Sequence, residues 1–395
     1  MATLEDISNI EIDNKPPAPV QNINKPSVNR WNISCEHFRY KRCILVLICI
    51  ILITIIITVP TVLVHKRRRT TTSTTTTTAT AITATATGAT IRTTTEVPLY
   101  FTNTTKWKQN GITIFSQDDY DEFRFDLNPM YMDNNEAIYL GEISKHRVIK
   151  IKLNAMNFSI VADANDTDHL RAPTDIIVDK KTDSIIICDQ GLRQIIRWSR
   201  KNVTHRDIMI SEINCNGLAM DDKGSLYVSD WLKVNVSHWE LGVNNKSFVV
   251  AGGNGNGNNF EQLNQPHFLF VDKDYSLYVV DKSNHRVMKW EKNATKGIVV
   301  AGGNRAGTNL TQLSSPSGIV VDHLGNIYVT DTNNHRVMRW IHGAREGSIV
   351  VGGNGTGNET NQLDSPSDLV FDKHGNLYVF DTVNQRIQKF CIESN

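Results

Sequence analysis

The segment PSGIVVDHLGNIYVTD at 316–331 returns fifty residues later as PSDLVFDKHGNLYVFD at 366–381, and this repetition constrains the fold more than any other feature. Further copies run over 266–281, 215–230, 173–189 and 127–142, the last three more diverged, which makes six units with a period of 42–51 residues. Short β-branched runs separated by Gly and Asn turns at such a period indicate propeller blades, since one unit cannot bury its own faces and must stack on its neighbours. In the fifth unit, 318–321, 326–330, 336–340 and 348–351 read as strands a to d. Asp322, Gly325 and Asn326 supply an a–b turn that tolerates left-handed backbone. Strand a lacks polar alternation, as expected of a strand covered on both faces. The predicted fold is an all-β six-bladed β-propeller.

The two ends of the repeat array complement each other. The sixth unit runs out at Phe390 after strand c, and residues 106–115 read like 291–300, which lead into a strand d. The expectation is that this N-terminal strand closes the last blade and removes an exposed sheet edge.

Three unlike zones precede the propeller, which is assigned to 100–395. Residues 1–42 are rich in Asn and Pro without periodicity and read as a disordered cytosolic tail. From Cys43 to Val64 no residue is charged, and as a helix these 22 residues would span roughly 33 Å, enough for a bilayer. Residues 65–99 are dominated by Thr and Ala and read as an O-glycosylated stalk. Basic residues flank the apolar run on both sides, so charge does not orient it. Sequons do: Asn103, Asn157, Asn165, Asn202, Asn235, Asn245, Asn293, Asn309, Asn354 and Asn358 follow the apolar run, and Asn32 alone precedes it. The expectation is a single-pass type II plasma-membrane glycoprotein with an extracellular C-terminal domain.

The segments DKSNHRVMKW at 281–290 and DTNNHRVMRW at 331–340, each preceded by Tyr-Val, resemble NHL repeats. The likeness is strong in units four to six and in unit one, weaker in unit two and lost in unit three, at Lys233 to Val236. It implies blade architecture, with Asp331, His335 and Arg336 bracing the b–c loop, and leaves function open. Peptide-amidating lyases of this kind hold zinc through three His at the starts of strand a. The matching positions here are Thr174, Asn216, His267, Ser317 and Ser367, and a lone imidazole does not make that site. Calcium-dependent lactonases place acidic and Asn ligands around the tunnel, where Asp175, Asn216 and Asp368 are the nearest candidates, and calcium needs six or more oxygens. RNA-binding relatives fit poorly: residues 98–395 carry 35 acidic and 31 basic side chains, a net −4, against the basic surplus that phosphate neutralisation requires.

The reading is therefore a binding module for an extracellular protein or glycan, with no cofactor, and a metal-dependent ectoenzyme as the alternative. Gly-rich runs such as 251–257 follow a strand and open no helix, so they are interblade turns rather than nucleotide loops. The repeat places Cys188 and Cys215 on one face and Cys391 on the other, so Cys188 pairs with Cys215. Binding is expected on that same b–c loop face, turned away from the membrane, in a sector of blades two to four free of sugars. Its candidate residues are Trp231, Leu232 and Lys233, where the b–c loop abandons the repeat, with His267, Asn216 and Thr174.

Overall fold

The computed structural model describes residues 101–117, 129–153, 157–163, 170–201, 205–242 and 246–393, all within the compact unit Thr85–Asn395. The tail, apolar stretch and stalk read at 1–42, 43–64 and 65–99 lie outside the described residues. Among the described residues no helix is long and apolar enough to cross a membrane.

Six four-stranded antiparallel sheets form the blades of a propeller. The innermost strands, a, are Met130–Met132, Pro173–Asp179, Cys215–Met220, Pro266–Val271, Pro316–Val321 and Pro366–Phe371 in blades one to six. From blade two to blade six they are almost continuously buried, which explains their lack of polar alternation. In the fifth blade, b is Ile327–Asp331, c is Arg336–Trp340 and d is Ser348–Gly352, within a residue or two of the sequence reading. The residue before strand c is left-handed in every blade: His146, Arg193, Val234, His285, His335 and Gln385 have φ of 52–54°.

The closing strand is Ile112–Ser116, and it pairs antiparallel with Arg386–Phe390 as the outer strand of blade six. Regular pairing starts later than residue 106, although Trp107 makes an isolated bridge with Ile392. Residues 101–109 lie on the side of the a–b turns: Trp107 Nε1 donates to the Gly375 carbonyl at 2.8 Å and Asn326 Nδ2 donates to Asn103 Oδ1 at 3.0 Å. The chain thus enters the propeller on the face opposite the b–c loops.

In blades two, three and five the penultimate residue of strand b joins its blade to the next. Ser229 Oγ accepts from Gly217 N–H at 2.8 Å and donates to the His267 carbonyl of the next blade at 2.8 Å. Thr330 does the same between Gly318 N–H and the Ser367 carbonyl, at 2.7 and 3.3 Å. In blade two the position holds Cys188, disulfide-bonded to Cys215 of blade three with Cα atoms 5.7 Å apart, and Cys391 is a free thiol. Glycine permits the close approach, for a Cβ at Gly217 would lie 2.4 Å from the His267 carbonyl oxygen.

Candidate binding face

The b–c loop face is built by a clamp that recurs in blades four to six. Arg336 Nε donates to buried Asp331 Oδ2 at 2.8 Å, and its Nη1 reaches the Thr308 carbonyl of the preceding interblade linker at 2.8 Å. Arg286 and Arg386 repeat this with Asp281 and Asn258, and with Asp381 and Asn358. Asn284, Asn334 and Asn384 each donate to a linker glycine carbonyl at 2.8 Å. Burial pushes the carboxyls of Asp281 and Asp331 above the usual range, opposed by these hydrogen bonds and by the arginine charge. His285 and His335 extend the brace to the next blade, their Nδ1 atoms accepting from Ser315 and Ser365 N–H at 3.1 and 3.0 Å. The motif residues are thus committed to architecture.

Blade three departs from this scheme because its linker is only three residues, 212–214, against thirteen before blades four to six. No long loop is there to be gripped, and Asn235 stands in place of the arginine. Asp230, 1% exposed, holds the b–c loop alone, accepting from Leu232 and Lys233 N–H at 3.0 and 2.9 Å, with the Lys233 ammonium 3.9 Å away. With no Gly-rich linker over it, the loop presents Trp231 at 41% and Leu232 at 60% exposure. It also holds Val234 at φ 52°, a strained backbone for a β-branched side chain. That strain had no sequence signal of its own; the short linker did.

Beside the loop, Thr174, Asn216 and His267 occupy successive strand a starts and are half-buried, whereas Ser317 and Ser367 at the equivalent positions are buried. Thr174 Oγ1 donates to the Cys215 carbonyl at 3.3 Å and Asn216 Nδ2 to the Pro266 carbonyl at 3.4 Å, chaining the three blades into a polar arc. The arc adjoins the loop directly, since Trp231 N–H donates to the Asn214 carbonyl at 3.1 Å. His267 Nδ1 is enclosed without a hydrogen-bond partner. Burial, then the Lys282 charge, push its imidazole well below its usual pKa, and burial lowers Lys282 too. A group needing a neutral hydrogen-bonding imidazole is suited to this corner.

One expectation is corrected. Asn235 is 9% exposed and paired with Asp230 and Gly252 at the start of strand c, so the folded blade leaves no room for a sugar there. Asn103, Asn157, Asn293, Asn309, Asn354 and Asn358 are exposed, while Asn165, Asn202 and Asn245 lie outside the described residues. The acidic residues named beside the tunnel are committed to the backbone: Asp175 Oδ2 accepts from Leu218 N–H at 2.6 Å and Asp368 Oδ2 from Met130 N–H at 2.8 Å, so each stitches one blade to the next. Among the described residues no group of three His, Cys, Asp or Glu side chains could hold a metal ion, and the three-His zinc set is absent.

Comparison with known proteins agrees with this architecture. Residues 313–339 and 363–390, in blades five and six, match the NHL repeat. No curated protein matches the sequence. Similar solved structures include an auxiliary nutrient binding protein from Bacteroides thetaiotaomicron, with TM-score 0.58 and 16% identity over 73% of this chain and 77% of that one. A putative phosphatase from the same organism gives 0.57 and 16% over 74% and 79%. An auxiliary nutrient binding protein from Bacteroides ovatus gives 0.54 and 14% over 76% of each. At such identities the likeness is one of fold alone: this chain is a six-bladed propeller with NHL-type blades.

Proposed function

We propose that the propeller is a recognition head that binds an extracellular protein or glycan through the b–c loop face of blades two to four. The observation that carries this reading is the uncovered loop of blade three, where an exposed indole and isobutyl group sit on strained backbone beside the Thr174–Asn216–His267 arc. Aromatic anchors next to a few convergent polar groups are the usual make-up of an interface centre. Metal-dependent hydrolysis has no observation in its favour among the described residues. In the same proposal the chain is a type II plasma-membrane protein whose Cys43 to Val64 helix and Thr-rich stalk carry an N-glycosylated head outside the cell.

Two experiments test this. Proximity labelling on intact cells with the full chain should enrich surface partners, and Trp231→Ala with Leu232→Ala should abolish that enrichment at an unchanged melting temperature. Undiminished enrichment together with a lowered melting temperature would make Trp231 a packing residue. For topology, endoglycosidase digestion should increase the gel mobility of the expressed protein; unchanged mobility would overturn the lumenal assignment.

A further inference from the structure

The junctions between blades three and four, four and five, and five and six share a groove on the a–b turn side, walled by the outer strand of one blade and by the a–b turn and end of strand c of the next. Between blades five and six the chain fills this groove with its own residues 101–109. Trp107 is 2% exposed, its indole N–H donating to Gly375 and its ring 5.8 Å from Tyr328 and 5.6 Å from Phe371. Phe101 packs 5.1 Å from Phe371. Arg339 Nη1 caps the Thr105 carbonyl at 2.8 Å and Gln109 Nε2 donates to the Val350 carbonyl at 3.0 Å. Val350 is consequently buried.

The groove between blades four and five is made of the same parts. Tyr278 corresponds to Tyr328, Lys289 to Arg339, Val300 to Val350, Gly325 to Gly375 and Trp340 to Phe390. Val321 takes the place of Phe371, so the ring that packs against Trp107 has no counterpart here. It encloses about 640 Å³ and is rimmed by Ile298 and Val299, 54% and 37% exposed, while Val300 stays partly open. Between blades three and four the chemistry changes, because Tyr275 replaces the glycine and carries the Lys223 and Lys292 ammonium groups 4.8 and 4.6 Å from its ring.

We propose that the groove between blades four and five is a docking site for an extended peptide segment of a partner protein bearing a tryptophan. The indole enters beside Tyr278, donates its N–H to the Gly325 carbonyl, and Lys289 caps a peptide carbonyl as Arg339 caps Thr105. The occupied neighbouring groove is the argument, since the molecule itself shows which side chains such a cleft accepts. This surface lies on the opposite face from the Trp231 loop, so the two readings stand or fall separately.

The probe is a fluorescein-labelled peptide of residues 101–111, titrated into the full-length protein by anisotropy. Saturable binding is expected, weakened about thirtyfold by Trp107→Ala in the peptide and by Val299→Arg in the protein, the scale of one lost anchor. Val299 is partly exposed, so its melting temperature should hold; if it falls, Ile298→Lys on the rim repeats the test. A benzophenone at peptide position 107 should cross-link to Ile298–Gly302. Binding no better than a scrambled peptide, indifference to both rim substitutions, or cross-links confined to the groove containing Gly375 would overturn the proposal.

Discussion

Blades four to six and blades two to three perform the same closure with different chemistry. The former grip a thirteen-residue linker with a buried Arg–Asp clamp; blade three has a linker of three residues and no arginine, and a disulfide ties it to blade two. The lesson is that the repeated arginine belongs to the linker more than to the blade. Where the linker shortens, the clamp loses its purpose, and the same shortening uncovers the b–c loop.

Substitutions on either side test that contrast. Arg336→Met strands buried Asp331 beside an ungripped linker and should cost about 3–5 kcal/mol in urea unfolding, against about 1 kcal/mol for Asn235→Ala in blade three. Equal costs would dissolve the distinction. Replacing both Cys188 and Cys215 with Ala should cost about 2–4 kcal/mol by releasing the constraint on the unfolded chain. Peptide mapping without reductant should link these two and leave Cys391 unpaired; a bond to Cys391 would refute the pairing.

His267 provides a pH test. Its folded-state pKa lies below the unfolded value of about 6.5, so between the two the unfolded chain takes up a proton that the native state refuses. Stability should be level above that pH and fall by about 1.4 kcal/mol per unit below it, and His267→Gln should remove this component of the slope. The smallest effect is expected from Trp231→Ala with Leu232→Ala, within about 0.5 kcal/mol of wild type, as befits exposed side chains.

The fold was legible because periodicity is written into every unit and the missing outer strand of the sixth could be matched to residues 106–115. The clamp was legible as a recurring Asp, His and Arg, although its grip on the linker required geometry. Spacing alone did not reveal that Asp175 and Asp368 hold neighbouring backbones, or that the Asn235 sequon is buried in a strand. A sequon is a local pattern, whereas burial comes from the strands that pack around it. The groove shared by blades four and five was invisible for a similar reason: its walls come from residues some fifty positions apart.

The closing strand also sets a schedule. Ile112 pairs with Lys389, so the strand at the start of the propeller waits for a partner that is made long after it. At about 5–20 residues per second, the N-terminal strand stands with an unpaired edge for tens of seconds during synthesis. The ring cannot close before Arg386–Phe390 has been made. Loss of Arg386–Phe390 alone, five residues, would therefore release an open sheet edge rather than a slightly smaller propeller.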